Sequence, residues 1–353
     1  SSTGDQSDWN LNDFIEKDYL YINQKNGRFR DELEERLQHI SMSSMSTDLA
    51  DINNDGHPDI FTTDMIPDDD YRLKTTGTFD NIDLYNSKLK AGLYHQYVRN
   101  ALQVNDGNGH FTEIANYANV FGTDWSWGAL FLDADNDGQN DIYVCNGINR
   151  DLTDLDFLDF FSNDVYRQSQ QQSGVASISE MLKRIPVTPL ANRVFQNKGN
   201  YVFEDVGNKW GFDTPSFSNS VAYADLDNDG DLDLVVNNEN QLSFVYRNNS
   251  REQTGNNYVA LKLKGRKGNE FAIGTKINIY SGSQVYTREQ SPSRGFQSSV
   301  DYQQVIGLGK LAKIDSVELI WPDRSYTRYY DVRLNTLREI VQPGTPGPMA
   351  YGN

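Results

Sequence analysis

Three short acidic segments contain the residues whose types and spacing could do chemistry. They read DINNDGHPD from Asp51, DADNDGQND from Asp133 and DLDNDGDLD from Asp225. Each places oxygen-bearing side chains at positions 1, 3, 5 and 9 of the loop, with a glycine at position 6 that permits a sharp turn. Such oxygens can wrap one hard cation, and Ca²⁺ accepts this large, flexible shell more readily than Mg²⁺ does. The loops therefore predict calcium binding.

The predicted ligands are the side chains at positions 1, 3, 5 and 9 and the backbone carbonyl at position 7 of each loop. The first loop offers three carboxylates where the others offer four, so we expect it to bind most weakly. No soft ligand is present, which disfavours zinc and copper. In chain order the ligands are Asp51, Asn53, Asp55, His57 and Asp59; Asp133, Asp135, Asp137, Gln139 and Asp141; and Asp225, Asp227, Asp229, Asp231 and Asp233.

Calcium at about three such loops is predicted to be structural rather than catalytic. Carboxylates crowded into one turn repel each other, and a cation that binds only the folded state stabilises that state. Three divalent ions would bring the formal net charge from −18 to about −12. A solvated acidic turn is the alternative interpretation of any single loop, but three copies in one register favour metal. Weak loops of this kind suit the high calcium concentration of an external compartment.

The loops belong to an internal repeat. An Asn-rich turn followed by phenylalanine starts at Asn23, Asn105 and Asn197, and each loop begins 28 residues later. Apolar, β-favouring runs flank every loop, so we predict strands on both sides. Each repeat is interpreted as an antiparallel sheet of about four strands, and such units stacked radially form a propeller. Three repeats cannot close a ring of four to eight blades. We therefore expect further blades in a longer parent chain, or blades supplied by other chains.

Two insertions lengthen the repeats, whose starts lie 82 and then 92 residues apart. The first, at about 66–98, is rich in tyrosine, and the second, at about 147–189, has apolar residues at the spacing of two helices. We expect these residues to pack the insertions onto the propeller, with a partner-binding surface as the alternative. They are Leu152, Leu155, Leu158, Phe161 and Val165 for the first helix, and Ile178, Met181, Leu182 and Ile185 for the second.

The last part of the chain has a different pattern. Alternating apolar runs between glycine and charged turns predict several half-buried strands, and no acidic loop occurs there. The lone cysteine, Cys145, is predicted to be a buried small hydrophobe. The expected domains are an N-terminal segment at 1–18, three repeats with insertions at 19–250, a β domain at 256–342 and a flexible tail at 343–353.

The repeats resemble FG-GAP or VCBS repeats, the calcium-loop blades of integrin-type β-propellers. The C-terminal region resembles the ASPIC/UnbV domain, through AIGT at Ala272–Thr275, GLG at Gly307–Gly309 and the pair Trp321–Pro322. Together these resemblances imply a cartilage-acidic-protein-like chain of the kind found among envelope proteins of Bacteroidota. The expected fold class is all-β, with propeller blades that carry calcium loops and partly helical insertions, followed by a small β-sandwich-like domain.

No convincing nucleophile–base pair, histidine metal cluster or phosphate loop is present, so we expect a non-catalytic protein. The predicted role is a binding or scaffold module for protein or glycan at the cell surface, with an outer-membrane assembly as one setting. A propeller-type lyase or hydrolase that uses calcium is the alternative. Trp125 and Trp127 are the candidate contacts for a ligand, with packing as the alternative. The negative charge opposes nucleic-acid binding, and no apolar run could span a membrane.

Overall fold

The computed structural model describes residues 8–12, 16–77, 81–171 and 183–344. These residues form a mostly β fold in which four successive sheets are arranged as propeller blades, as the sequence predicts. We call them sheets A to D. Sheet A contains β1 (Asp8–Asn10), β2 (Tyr19–Asn23) and β3 (Phe29–Asp31), and sheet B contains β5 (Ser46–Ala50), β6 (Asp59–Thr63), β9 (Ala101–Asn105) and β10 (Phe111–Glu113).

Sheets C and D continue the series. The long strand β11 (Asp124–Leu132) of sheet C lies against the first strand of sheet B on one side and the first strand of sheet D on the other. This is the arrangement of inner propeller strands. Strand β7 (Met65–Ile66) extends sheet C at the start of β11. Sheet C contains β11 (Asp124–Leu132), β12 (Asp141–Asn146), β13 (Arg193–Asn197) and β14 (Phe203–Asp205); sheet D contains β15 (Ser218–Ala224), β16 (Asp233–Asn238) and β17 (Phe244–Tyr246).

Apolar side chains fill each space between neighbouring sheets. Leu20 and Leu33 belong to the cluster between sheets A and B, and the rings of Phe61 and Phe131 pack edge to face between sheets B and C. Tyr143 and Leu234 belong to the cluster between sheets C and D. Cys145 lies fully buried in that cluster, where burial raises the pKa of its thiol, so it behaves as a small hydrophobe.

The sheets are offset by about one strand from the sequence repeats. The Asn-rich turn of one repeat joins the last two strands of a sheet, whereas the acidic loop of the same repeat joins the first two strands of the next sheet. In sheet B, β5 and β6 therefore flank the first acidic loop, and β9 and β10 flank the Asn-rich turn of the second repeat. Three repeats consequently build parts of four sheets, so the expectation of one sheet per repeat is wrong in its boundaries.

The first insertion is partly helical and lies beside sheets A and B. It contains α2 (Asp70–Thr75) and α3 (Ile82–Lys90), and its strand β8 (Gln96–Tyr97) pairs in parallel with β4 (Ile40–Ser41). Side chains of Asp69 and Asn81 cap the two helices by accepting hydrogen bonds from Arg72 and Leu84. A one-turn helix, α1 (Leu33–Arg36), precedes β4.

The second insertion contains α4 (Leu155–Gln171), which confirms the first of its two predicted helices in type and place. Leu155 and Leu158 approach Gly77 of the first insertion, so the two insertions touch each other. The apolar face of α4 is only partly covered by the described residues: Leu152, Leu155, Leu158 and Phe161 are between 38% and 50% exposed, so the expectation that they pack onto the propeller is wrong for them. The second predicted helix falls largely on residues 172–182, which lie outside the described residues.

The C-terminal domain is a small sandwich of two sheets around one apolar core, as expected. Its largest buried side chain is Trp321, whose indole N–H donates to Thr327 Oγ1 at 2.7 Å. One sheet has the order β23 (Gln303–Gly309), β18 (Asn257–Lys264) and β26 (Leu337–Val341); the other has β20 (Gln284–Glu289), β19 (Lys276–Ser281), β24 (Ser316–Ile320) and β25 (Tyr326–Tyr329). Two further short helices, α5 (Gly207–Trp210) and α6 (Ser250–Thr254), follow β14 and β17.

The sandwich is docked on the propeller through a hairpin of β21 (Ser293–Arg294) and β22 (Ser298–Ser299), which lies against β15. At its tip, Phe296 packs on Trp127 with 5.4 Å between ring centroids. Arg294 Nη2 donates to Asp48 Oδ2 at 2.7 Å, and its Nε donates to the other carboxylate oxygen. The hairpin thus anchors the sandwich to the inner strands of sheets B, C and D.

Candidate metal centres

Each acidic loop connects the first and second strands of its sheet and has the same backbone in all three copies. The asparagine at position 4 has φ of 57°, 56° and 62° at Asn54, Asn136 and Asn228, and the glycine at position 6 has φ of 89° or 93°. Asparagine and glycine are the residues that adopt this left-handed region at least cost. The shared DNDG or NNDG core therefore folds the three loops alike, and points their backbone N–H groups inward.

The aspartate at position 9 closes each loop onto its sheet. Asp59 Oδ2 accepts from Ile52 N at 2.9 Å, and its Oδ1 accepts from Asn105 N at 2.9 Å. Asp141 and Asp233 accept from the corresponding two backbone N–H groups at 2.8 to 3.0 Å. This geometry, which the three loops share, fixes the orientation of the position-9 carboxylates before any metal binds.

The second loop brings three carboxylates together. One oxygen each from Asp133, Asp135 and Asp141 lies within 4.8 Å of the others, and Asp133 and Asp141 are buried. Burial raises the pKa of Asp133 and of Asp141 well above the usual range, and repulsion by neighbouring aspartates raises both further. Asp137 instead accepts from the backbone N–H of Gln139 at 2.8 Å. Burial and repulsion therefore oppose ionisation of Asp133 and Asp141 as long as no cation is bound.

The third loop contains two overlapping acidic groups. Asp225, Asp227 and Asp229 form one, and Asp229, Asp231 and Glu252 form the other, again with oxygens within 4.8 Å. Burial raises the pKa of Asp231 to about 7. Although burial opposes its ionisation, hydrogen bonds with Asp231 and Arg247 hold the pKa of Asp229 below its usual value. The sequence predicted only the backbone carbonyl of Asp231 as a ligand, and loop spacing could not reveal Glu252, which arrives from α6.

The first loop is built on the same plan with fewer charges. Asn53 Oδ1 accepts from Asp55 N at 3.1 Å, and Asp55 Oδ1 accepts from His57 N at 2.8 Å. Burial raises the pKa of Asp51, and it raises that of Asp59 to about 7. The carboxylate groupings found in the described residues lie in the second and third loops. The loop is thus the least acidic of the three.

The loops are joined to each other by asparagine side chains. Asn54 Nδ2 donates to the Gly138 carbonyl at 3.1 Å, and Asn136 Nδ2 donates to the Gly230 carbonyl at 2.8 Å. Position 4 of one loop therefore holds position 6 of the next. The sequence shows this asparagine in every copy, but its role depends on contacts between sheets.

The C-terminal domain covers the loops. Tyr286 lies directly over Gly138, where a Cβ would come within 2.6 Å of its ring, and Gly309 N donates to the Asn136 carbonyl at 2.8 Å. The partly buried Arg288 lies near Asp51 and Asp133, whose charges act on its guanidinium. Loops and sandwich therefore form one continuous polar interface.

The two tryptophans occupy different environments. Trp127 Nε1 donates to the Gly147 carbonyl at 2.9 Å, and its ring packs on Phe296 of the hairpin, which favours the packing interpretation for this residue. Trp125 lies half-buried beside it, with 6.5 Å between the ring centroids. The pair lies where the sandwich meets sheet C.

Hard oxygen ligands, burial and mutual repulsion make the loops fit a divalent cation better than they fit water alone. The fold and these loops define a β-propeller protein with acidic loops of cation-binding type. Family models match residues 8–62 and 184–236 as FG-GAP-like repeat and residues 265–346 as ASPIC and UnbV. The chain belongs to the proteins that combine FG-GAP-like repeats with a C-terminal ASPIC/UnbV domain, which confirms the resemblance. The comparison with curated proteins gave no match.

The two matched repeat segments contain the first and third acidic loops. The second loop, at residues 133–141, lies outside them, yet it has the same backbone and the same closing hydrogen bonds. Of the helices in the described residues, none combines the length and apolar character needed to cross a membrane.

Proposed function

We propose that this protein is a non-catalytic scaffold of the cell exterior, a propeller stiffened by calcium that presents surfaces to protein or glycan partners. The observation that carries the proposal is the set of three acidic loops with one backbone geometry, all joining the first two strands of a sheet. Their buried carboxylates have raised pKa values, and a divalent cation would neutralise them.

Calcium would be held by the carboxylates of the second and third loops and, more weakly, by those of the first. When bound, the ion supplies positive charge that removes repulsion between the aspartates. The residues themselves supply the rest of the stiffness. The asparagine links tie loop to loop, and Asn256 Nδ2 donates to the Asp135 carbonyl at 2.8 Å, which ties the second loop to the C-terminal domain.

An external location is supported by the family and by the loops. Proteins with FG-GAP-like repeats are commonly extracellular or on the cell surface. Oxygen sites of modest charge fill at about 10⁻⁴ to 10⁻³ M calcium, which is typical of extracellular modules. Association with an outer-membrane assembly is the setting we propose for the scaffold.

Calcium titration with a thermal melt tests the proposal. Chelator-treated protein should bind about three Ca²⁺ by calorimetry, and its melting temperature should rise with occupancy, because binding to the folded state alone stabilises it. Mg²⁺ should stabilise less at equal concentration. Asp133→Asn should remove one site, whereas Asp156→Asn, an exposed acid on α4, should remove none. The absence of binding and of any melting shift would reject calcium as the structural ion.

A further inference from the structure

Among the described residues, sheet D lacks the outer strand that sheets B and C have. Sheets B and C end in β10 and β14, whereas sheet D ends at β17. In sheets B and C, the residue after the fourth strand donates a backbone hydrogen bond to the third strand: Ile114 N to the Leu102 carbonyl at 2.9 Å, and Val206 N to the Val194 carbonyl at 2.8 Å. In the third strand of sheet D, Val245 has the position that Leu102 and Val194 have in the third strands of sheets B and C.

The equivalence rests on a contact that all three sheets share. Asn105, Asn197 and Asn248 each donate their backbone N–H to the position-9 aspartate of the acidic loop in their own sheet, at 2.8 or 2.9 Å. Leu102, Val194 and Val245 precede these asparagines by three residues. After Asn248, however, the chain enters α6 and does not return along β17. Val245 is accordingly 67% exposed.

In the complete sheets the fourth strand also fills the space between neighbouring sheets. Phe203 of β14 is 4% exposed and packs in the cluster between sheets B and C. Tyr201, just before it, accepts a hydrogen bond from Asn53 Nδ2 at 3.1 Å. Phe111 of β10 packs in the same way against the cluster between sheets A and B. One phenylalanine from a fourth strand thus completes each of these two interfaces.

Between sheets C and D, the same place is a cavity of about 440 Å³. Its walls are the counterparts of the residues that surround Tyr201 and Phe203. Asp135 lies at the loop position of Asn53, Tyr143 at the strand position of Phe61, and Tyr246 at that of Phe195. Trp210 and Phe212, from the segment after β14, complete an aromatic wall.

We propose that this cavity and the free edge of β17 form an acceptor slot for an extended peptide of a partner protein. The peptide would pair with β17 as a fourth strand and place an aromatic side chain in the cavity, against the wall formed by Tyr143, Phe212 and Tyr246. An acidic residue would follow two positions later. Strand addition supplies backbone hydrogen bonds, and the cavity supplies specificity.

The required peptide pattern is the one that this chain uses itself. The fourth strands of sheets B and C read FTE from Phe111 and FED from Phe203, and the outer strand of sheet A, β3, reads FRD from Phe29. The acidic residue has a defined task in sheet B, where Glu113 Oε1 accepts from Leu102 N at 3.1 Å and from Ala115 N at 2.6 Å. In the slot, the corresponding N–H is that of Val245. Lys209 and Arg247 line the rim, where Lys209 pairs with Glu204 and Arg247 pairs with Asp227 and Asp229. The edge N–H of Val245 therefore offers an acidic third residue the donor that Leu102 N offers to Glu113.

This inference takes its class of partner, a protein, from the scaffold role proposed above, but it does not depend on the metal. The calcium titration can fail while the peptide still binds, and the peptide can fail while calcium still stabilises the chain. The two failures are therefore distinguishable.

The test uses a fluorescein-labelled peptide with the sequence GNYVFEDVG, identical to residues 199–207. Its fluorescence anisotropy is titrated with the full chain at saturating calcium. Val245→Pro removes the edge N–H, and Val245→Ala, the matched control, keeps it while shortening the same exposed side chain. We expect saturable binding, weakened about tenfold or more by Val245→Pro and changed less than about threefold by Val245→Ala. Replacing phenylalanine by serine in the peptide should also weaken binding about tenfold or more.

Circular dichroism and thermal melts of both variants show that they are folded. Absence of peptide binding to the folded wild-type chain overturns the inference. Equal affinities of the proline and alanine variants also overturn it, since the peptide would then bind elsewhere, including in place of β14. A wild-type dimer by size-exclusion chromatography that excludes the peptide and dissociates in Val245→Pro would assign the slot to a second copy, and would likewise overturn it.

Discussion

Arg294 is expected to hold the C-terminal sandwich on the propeller, and replacing it should destabilise the whole chain. Its guanidinium bonds both oxygens of Asp48, and Nη2 also donates to the Leu49 carbonyl at 3.2 Å. The side chain of Asp48 is 2% exposed and that of Arg294 is 14% exposed. Burial opposes the charge of Arg294, but Asp48 raises the pKa of the guanidinium above its ordinary value. The pair is therefore almost fully removed from solvent.

The magnitude follows from what remains after the substitution. Arg294→Met leaves the Asp48 carboxylate buried with only the Phe131 N–H, at 2.7 Å, as its remaining donor among these contacts. Removing one partner of a buried pair costs about 3–5 kcal/mol. Asp48→Asn in the same chain removes the stranded charge, so the double variant should recover about 1–3 kcal/mol of that loss. Lys264→Met, which breaks a half-exposed pair with Glu339, should change stability by less than about 1 kcal/mol.

Urea unfolding, followed by tryptophan fluorescence and circular dichroism, measures these differences in the free energy of unfolding. Trp127 reports directly on the interface, because Phe296 packs on its ring. A stability of Arg294→Met within about 1 kcal/mol of wild type would refute the anchoring role. Strict additivity of the two substitutions would refute the coupling between the charges even if each destabilised the chain.

Three further outcomes are expected. In calorimetry of single-loop variants, Asp51→Asn should remove the weakest calcium site and Asp133→Asn should remove a tighter one. The reason is that the first loop has fewer carboxylates, and the reverse order of affinities would contradict this ranking. Chelator-treated protein should melt at a lower temperature as pH rises from 5 to 8. Burial raises the pKa of Asp59 and of Asp231 to about 7 in the folded state, and a raised carboxyl pKa contributes stability that is lost as pH rises through it. Calcium should flatten this pH dependence, and a melting temperature that rises with pH in the absence of metal would contradict the prediction. Asn136→Gly should lower the free energy of unfolding in urea by about 1–3 kcal/mol, because it removes the buried hydrogen bond to the Gly230 carbonyl. Asn228→Gly, at the same loop position but with an exposed side chain, should lower it less. Equal losses of stability would show that the link between loops contributes nothing.

The repeat, the strands beside each loop and the two-part architecture could be predicted because they depend on local signals. Asn54, Asn136 and Asn228 with their following glycines specify a turn in nine residues, and alternating apolar residues specify the strands of the sandwich. The oxygen positions of the loops are equally local. Their assignment as calcium ligands remains a prediction.

What the sequence did not reveal depends on pairing between distant segments. The one-strand offset between sheets and repeats arises because Asn105 bonds Asp59, 46 residues earlier, and such registers have no local signature. Glu252 enters the third acidic group from α6, and Arg294 meets Asp48 across 246 residues. The spacing of apolar residues predicts the helix α4 correctly, but it does not indicate what covers the apolar face of that helix.

The one-strand offset also affects how such a chain can change length by recombination. A duplicated segment of 82 residues beginning at Asn23 would bring the outer strand of one sheet and nearly all of the first three strands of the next. Its outer strand would complete the sheet already opened before it, and its other three strands would open a sheet that the original copy then completes. Gene duplication could therefore add one whole blade without leaving a half-built sheet at either junction, so blade number can vary in evolution while every strand partnership is kept.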